Sequence, residues 1–166
     1  MANRRPHPSR TRRGFSIIEL MIVVCIVGLL ATVALPEFQN ILLRSKQAER
    51  DMMMNSIMRV LNEYVAAHGG QFPGGAAPDL PFNPTYVPDG SKQRFEASVG
   101  KWDDLGWVPD GMLHYRYEVR MTGDELLVTA AADLNGDLRV SYKELKYKLQ
   151  NGSWQRLSER VYGDHF

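Results

Sequence analysis

The sequence feature that most constrains this chain is an apolar run from Phe15 to Leu35, in which Glu19 is the only charged residue. The run has 21 residues, and about 20 apolar residues in a helix span the roughly 30 Å hydrocarbon core of a membrane. An ionised side chain in that core costs about 3 kcal/mol or more unless it is paired or lies near the interface. The run therefore predicts a membrane-spanning helix with one carboxylate that needs a positive partner.

The residues at the start of the run are Arg13-Gly14-Phe15-Ser16-Ile17-Ile18-Glu19-Leu20. This stretch closely resembles the processing site of type IV prepilins and type II secretion pseudopilins. The resemblance implies that a prepilin peptidase cuts between Gly14 and Phe15 and N-methylates Phe15. It also implies that Glu19 is the assembly residue, which pairs with the terminal amine of a neighbouring subunit. Pro36 falls where many pilins have a proline, and we expect it to bend or loosen the helix.

Simpler explanations of these residues stay open. The helix dipole alone favours a glutamate in the first turn, and the apolar run by itself fits an ordinary signal anchor. A secretory signal has a shorter apolar region without a carboxylate and ends in small residues, a pattern that residues 31–35 match only weakly. The combined spacing of Gly14, Phe15, Glu19 and the apolar run favours a prepilin.

All five basic residues before Phe15 belong to the segment that such a cut removes, and no acidic residue accompanies them: Arg4, Arg5, Arg10, Arg12 and Arg13. The chain has 20 basic and 19 acidic residues, a net charge of +1, so the cut chain carries about −4 before its new amine is counted. Basic residues beside an apolar helix hold that end in the cytoplasm. We therefore expect a single-pass inner-membrane precursor with a cytoplasmic N-terminus and no nucleic-acid site.

Beyond Pro36, apolar residues recur at helical spacing as far as Ala67, and Gly69-Gly70 ends the pattern. One helix from about Phe15 to Ala67 is predicted, and its back half packs on a globular head through an apolar stripe formed by Phe38, Ile41, Leu42, Ser45, Ala48, Met52, Met53, Val60, Leu61, Tyr64 and Val65.

Residues 69–111 are rich in proline and glycine and predict a surface loop with short turns. Its position matches the variable loop of pilins. Four apolar residues near its end are the predicted anchors into the core: Trp102, Leu105, Trp107 and Val108. An exposed carbohydrate-binding platform is the alternative role for the tryptophans.

After Gly111 the apolar period changes to two, and Asn135-Gly136 and Asn151-Gly152 predict hairpin turns. The predicted strands are residues 113–121, 125–132, 138–150 and 153–157. A slip in the apolar alternation predicts a bulge or break near Lys143 and Glu144.

The predicted fold class is therefore α+β: a long N-terminal helix, with a membrane-spanning front half, packed on a C-terminal four-stranded antiparallel β-meander. This is also the pilin architecture. The predicted division is a cleaved leader (1–14), a membrane or filament-core helix (15–36), an amphipathic half-helix (37–68), a variable loop (69–111) and a β-sheet head (112–166).

Residues 133–144 follow D-x-N-x-D-x₆-E, the ligand spacing of a Ca²⁺ loop. The candidate ligands are Asp133, Asn135, Asp137, the Arg139 carbonyl and Glu144. Leu138 departs from this motif, because the position requires a left-handed turn that glycine adopts most easily. The alternative is a polar hairpin without an ion. Cys25 is the only cysteine, so a calcium ion would replace the C-terminal disulfide that many pilins have.

No nucleophile, phosphate-loop or zinc pattern surrounds the scattered histidines, so we predict a substrate of the peptidase and not an enzyme. The first functional hypothesis is a type IV pilus subunit, assembled on an inner-membrane platform with copies of itself or related pilins into an extracellular helical filament for adhesion, motility or DNA uptake. The alternative is a pseudopilin of a periplasmic type II secretion pseudopilus. A third is a membrane-anchored binding module that does not polymerise.

Overall fold

The computed structural model describes residues 14–150 and 153–163. They form two compact units, one ending at Asn40 and the other beginning at Ile41. Helix α1 (Ile17–Ala67) contributes to both units. All but the last residue of the predicted leader lie outside the described residues.

The end of helix α1 is set by two glycines. Gly69 and Gly70 have φ values of 63° and 89°, a left-handed conformation that glycine adopts without steric cost. The Gly70 N–H donates to the Val65 carbonyl at 2.9 Å, which closes the last turn as in a Schellman motif. The predicted helix end at these glycines is confirmed.

The second unit contains a five-stranded antiparallel sheet in the order β1-β4-β5-β6-β7. Its strands are β1 (Leu80–Asn83), β4 (Arg116–Thr122), β5 (Glu125–Ala132), β6 (Ser141–Gln150) and β7 (Ser153–Tyr162). The short pair β2 (Gln93–Arg94) and β3 (Met112–Leu113) and the one-turn helix α2 (Trp102–Leu105) complete the unit.

The predicted four-strand meander corresponds to β4 through β7, and the fifth strand comes from the proline-rich segment. Strand β1 pairs with β4, with Leu80 opposite Val119 and Asn83 opposite Tyr117. The α+β class is confirmed, whereas the predicted count of four strands is wrong. A four-residue strand flanked by prolines lacks the length and alternation that identify a strand in sequence.

One face of this sheet packs on the back half of α1. The buried helix residues are Arg50, Met54, Ile57, Met58 and Leu61. Of the predicted stripe, Leu61 is among them, and four further members are partly buried against the same core: Met53, Val60, Tyr64 and Val65. Met52 is exposed. Three consecutive methionines at positions 52–54 carry no periodicity, so the sequence did not show which of them faces the sheet.

The two tryptophans of the variable loop are core residues. Trp102 and Trp107 are both buried, with ring centroids 5.5 Å apart. The Trp102 Nε1–H donates to the Pro81 carbonyl at 2.8 Å, and the Trp107 Nε1–H donates to the Ser56 hydroxyl on α1 at 2.9 Å. Core anchoring is confirmed for both, and their burial excludes an exposed carbohydrate platform. Val108, the fourth predicted anchor, is exposed.

The bulge predicted near Lys143 and Glu144 is absent there. Burial alternates regularly along β6, and Lys143 lies on the buried side. The irregularity occurs instead in the β6–β7 pairing, between Lys146 and Tyr147. The apolar alternation in the sequence is interrupted because Lys143 occupies a core-facing position where the pattern requires an apolar residue.

Lys143 is tolerated in this position because two carboxylates meet its ammonium. Its Nζ lies 2.9 Å from Asp51 Oδ1 on α1 and 2.7 Å from Glu159 Oε1 on β7. Arg50 Nε lies 2.9 Å from the same Asp51 oxygen. Burial raises the pKa of Asp51, but the hydrogen bonds from Lys143 and Arg50 outweigh it and hold this pKa below its usual value. The cluster links helix α1 to both strands of the last hairpin.

Candidate functional site

The predicted processing site lies just before the first turn of α1. The Ser16 hydroxyl accepts a hydrogen bond from the Glu19 backbone N–H at 3.2 Å, and Ile17 is the first helical residue. Ser16 is thus the N-cap. The Gly14–Phe15 peptide bond therefore precedes the helix in irregular backbone, and the Phe15 side chain is 81% exposed. An exposed bond outside regular structure can enter a peptidase active site without helix unwinding.

Nothing within the described fold requires a glycine at position 14. A Cβ built there meets no atom within 4 Å, and its φ is outside the left-handed range. The glycines at positions 100 and 163 differ, because a Cβ on either would lie within 3 Å of neighbouring backbone. The described fold therefore gives no reason of its own for a glycine at position 14.

Glu19 occupies the third position of α1, as the capping-box pattern S-x-x-E prefers. It is exposed, and so are the apolar residues around it, including Ile18, Leu20 and Met21. Across residues 14–150 and 153–163 it has no ion-pair partner. Its carboxylate is available to a cation from another molecule.

The front half of α1 is long and apolar enough to cross a membrane by length and composition. None of the residues in its most apolar window is buried. The Thr32 hydroxyl, a polar group within this stretch, donates to the Gly28 carbonyl at 2.9 Å and so is satisfied inside the helix. Pro36 lies within α1, and the helix continues on both sides of it.

Residues 9–35 match the family model described as the prokaryotic N-terminal methylation motif. The chain is 41% identical over 63 residues to a fimbrial protein of Neisseria meningitidis serogroup B, covering 38% of this chain and 36% of that protein. It is 41% identical over 58 residues to a type IV major pilin protein of Neisseria gonorrhoeae, covering 35% of each. The predicted resemblance of the front of the chain to type IV prepilins is therefore confirmed over residues 9–35.

A longer match is to a type IV major pilin protein of Myxococcus xanthus, at 28% identity over 122 residues, or 74% of this chain and 43% of that pilin. The chain spans about a third of the length of the first two pilins it matches. No solved structure matches it significantly.

The predicted calcium loop folds around Asp133 of the second unit, which is buried. One of its carboxylate oxygens accepts hydrogen bonds from the Gly136 and Asp137 N–H groups, at 2.8 and 3.2 Å, and the other accepts one from the Leu138 N–H at 2.8 Å. Asn135 Oδ1 accepts from the Asp137 N–H at 3.3 Å. Leu138 has a φ of 66°, so the left-handed turn predicted at this position is present although the residue is leucine.

Glu144, the predicted last ligand, is not brought to this loop. It lies within β6 and pairs with Thr129, four residues before Asp133 and so about 13 Å away along the strand. The described residues contain no group of three or more His, Cys, Asp or Glu side chains arranged to hold a metal. Asp133, Asn135, Asp137 and the Arg139 carbonyl fall short of the six to eight oxygens that Ca²⁺ takes. The donor set therefore fits calcium only in part, and backbone N–H groups already use both Asp133 oxygens.

Sequence reasoning missed two polar contacts that tie α1 to the rest of the head. One is the Lys143 cluster, whose only signal was the apparent slip in alternation. The other joins His114 to Glu49: Nδ1 lies 2.7 Å from one carboxylate oxygen, and the His114 backbone N–H donates to the other at 3.1 Å. No sequence signal relates these two residues, which are 65 positions apart.

Proposed function

We propose that this chain is a structural subunit of a type IV pilus. It is made as a prepilin, cut by a prepilin peptidase between Gly14 and Phe15, N-methylated at Phe15 and polymerised into a filament. The observation that supports this most directly is the exposed Gly14–Phe15 bond, placed immediately before a capped helix with an unpaired carboxylate at its third position. The relatives named as type IV major pilins support a pilus subunit, and a secretion pseudopilin is the alternative.

The apolar half of α1 serves two states in turn. Before assembly it anchors the precursor in the inner membrane, with the arginine-rich leader on the cytoplasmic side. After assembly on the inner-membrane platform, the same apolar surface packs against other copies in the filament. Type IV pilins are structural proteins, so the prediction that the chain is not an enzyme is confirmed by the family.

Glu19 selects the incoming subunit and sets its axial position in the filament. Cutting after Gly14 creates an amine on Phe15, and a carboxylate in apolar surroundings is stabilised by meeting a cation. The amine of one subunit therefore pairs with Glu19 of another. A subunit docked one helical turn out of place would leave both charges unpaired in an apolar environment, which costs several kcal/mol by order of magnitude.

The test separates processing from assembly. Gly14→Val should block cleavage and leave a precursor with its leader, while Glu19→Ala should be cut and methylated normally yet yield few filaments. The matched control is Glu37→Ala, which removes an exposed carboxylate further along the same helix. Mass spectrometry of the mature N-terminus and the yield of sheared extracellular filaments are the readouts.

A normally cut Gly14→Val chain would refute the assignment of the cleavage site. Filament yields for Glu19→Ala equal to those of Glu37→Ala would refute the pairing role of Glu19. A different result would assign the chain to a type II secretion pseudopilus. In that case the unaltered strain would make no extracellular filaments, and Gly14→Val would abolish secretion of an exported protein.

A further inference from the structure

The two edges of the five-stranded sheet differ in how their backbone groups are used. At the β1 edge, α2 closes over the strand, and the Trp102 Nε1–H donates to the Pro81 carbonyl at 2.8 Å. At the other edge β7 runs for ten residues and has one neighbour, β6. Within residues 14–150 and 153–163, no backbone hydrogen bond reaches its outer side. Free N–H and C=O groups along a strand are a template for a further strand.

A bulge in the middle of β7 decides which side chains share a face. Tyr147 pairs with Arg156 and Lys146 pairs with Ser158, so Leu157 is the extra residue. Paired residues of antiparallel strands point to the same side of the sheet. The buried residues of β6 therefore place four β7 residues on the helix side, Trp154, Arg156, Glu159 and Val161, and five on the opposite side, Ser153, Gln155, Ser158, Arg160 and Tyr162.

Because the bulge shifts the alternation by one residue, β7 has the same face pattern when followed from either end, apart from the bulge residues Leu157 and Ser158 themselves. Two copies placed antiparallel, with Ser153 of one opposite Tyr162 of the other, match helix-side residues with helix-side residues throughout. In this register Arg156 faces Glu159, Trp154 faces Val161 and Gln155 faces Arg160. If one copy of β7 slides by two residues, the charge match is lost. Sliding in one direction places Glu159 opposite Trp154, and sliding in the other places Arg156 opposite Val161.

We propose that β7 is a homotypic docking strand, through which two copies of this chain pair antiparallel with Arg156 opposite Glu159. The contact joins two five-stranded sheets into one of ten strands and is centred on Leu157 and Ser158. Opposite charges facing each other across an antiparallel pair stabilise it. The bulge adds local twist, which weakens edge pairing in general, so the contact is weak and reversible.

The symmetry of this contact limits where it acts in the proposed pilus. An antiparallel pair of identical strands is two-fold, whereas the subunits of a polar helical filament all point in one direction. The contact therefore joins copies in separate filaments lying antiparallel, or chains not yet assembled. This placement rests on the proposed function, but the pairing itself does not.

Disulfide trapping in the full chain tests the register. In a Cys25→Ser background, Gln155→Cys and Arg160→Cys are purified separately in detergent, mixed at roughly 1 mM, where weak contacts are populated, and oxidised. The mixture should give a linked dimer on a non-reducing gel. Either variant alone should not, because the same residue in the two copies is displaced by five positions, about 17 Å, which is beyond disulfide reach.

The matched control is a mixture of Gln155→Cys with Ser153→Cys, which this register sets about 23 Å apart. Preferential linkage in the first mixture supports the proposal. Equal linkage in both mixtures, or no linkage in the first mixture, overturns it. Linkage of a single variant at the level of the first mixture also overturns it, because contacts through the apolar helix would link copies without regard to the β7 register.

Charge reversal tests the Arg156–Glu159 match in the same assay. Adding Arg156→Glu to both cysteine variants places like charges opposite each other twice per dimer, and linkage should slow roughly tenfold. Glu159 is left unchanged in this test, because it also holds the buried Lys143 at 2.7 Å and contacts Arg156 of its own chain at 3.3 Å. Near-ultraviolet circular dichroism of the buried tryptophans shows whether each variant is folded. Unchanged linkage in folded Arg156→Glu would overturn the proposed register.

Discussion

At the scale of single residues, Lys143 is the side chain whose surroundings depend most on distant parts of the chain. Its ammonium is almost fully buried and touches a helix carboxylate and a β7 carboxylate at once. Removing one partner of a buried ion pair leaves the other without compensation. Asp51 and Glu159 remain partly exposed, so solvent screens part of that loss.

We expect Lys143→Met to lower the free energy of unfolding of the head by about 1–3 kcal/mol, less than a fully buried pair would lose. The control is Lys146→Met in the same strand, on the opposite face, where Lys146 pairs with Glu125 at 2.8 Å; it should lose about 1 kcal/mol or less. Urea unfolding followed by tryptophan circular dichroism measures both. Equal losses would contradict a special role for Lys143.

The same variant has a defined dependence on pH. The pKa of Asp51 is lowered in the folded state from its usual 3.8, so the stability it contributes is present above about pH 4 and is lost as pH falls through the folded pKa. The difference in stability between the unaltered chain and Lys143→Met should therefore shrink below about pH 4. A difference that stays constant down to pH 2 would contradict this ionic origin.

At the scale of elements, the loop between β5 and β6 combines a strained residue with a buried carboxylate. Leu138 adopts a positive φ although its side chain is 89% exposed, so the strain is not offset by burial of that side chain. Leu138→Gly should stabilise the head by about 0.5–1 kcal/mol, since relief of a left-handed leucine exceeds the entropy gained by glycine in the unfolded chain. Thermal melting measures the gain; a lower melting temperature would refute it.

Asp133→Ala should destabilise the same loop by about 1–3 kcal/mol, because three backbone N–H groups lose their acceptor. Asp137→Ala is the control, as its Oδ1 accepts only from the Arg139 N–H at 2.8 Å. The same melts, repeated with calcium and with a chelator, test the predicted ion. A calcium-dependent rise that Asp133→Ala abolishes would support it, and identical curves would leave the backbone hydrogen bonds as the sole role of Asp133.

The sequence predicts elements well where a local rule determines them. The end of α1 at Gly69 and the strand from Glu125 to Ala132 follow from glycine chemistry and from turn spacing. Strand β1 and the burial of Lys143 do not, because both depend on partners far along the chain. At the predicted processing site the sequence carried nearly all the information, since Gly14, Phe15 and Glu19 lie within six consecutive residues.

At the scale of the whole molecule, the buried core lies entirely in the second unit. Its buried helix residues start at Arg50, and the rest of the core lies between Phe72 and Tyr147. A fragment spanning residues 41–166 should therefore melt cooperatively and keep the near-ultraviolet signal of Trp102 and Trp107 seen in the full chain. A fragment without that signal would show that the first unit is needed for the head to fold.

The cap at Ser16 has a consequence for the energetics of the cut chain. The proposed cleavage after Gly14 would place the new ammonium of Phe15 one residue before the N-cap, at the positive end of its own helix dipole. A cation in that position is destabilised by roughly 0.3–1 kcal/mol in water and by more in apolar surroundings. The proposed mature subunit would thus hold a charge that its own backbone repels. The proposed pairing with a neighbour's carboxylate would relieve that repulsion, so the helix dipole itself would favour the joined state over the free subunit.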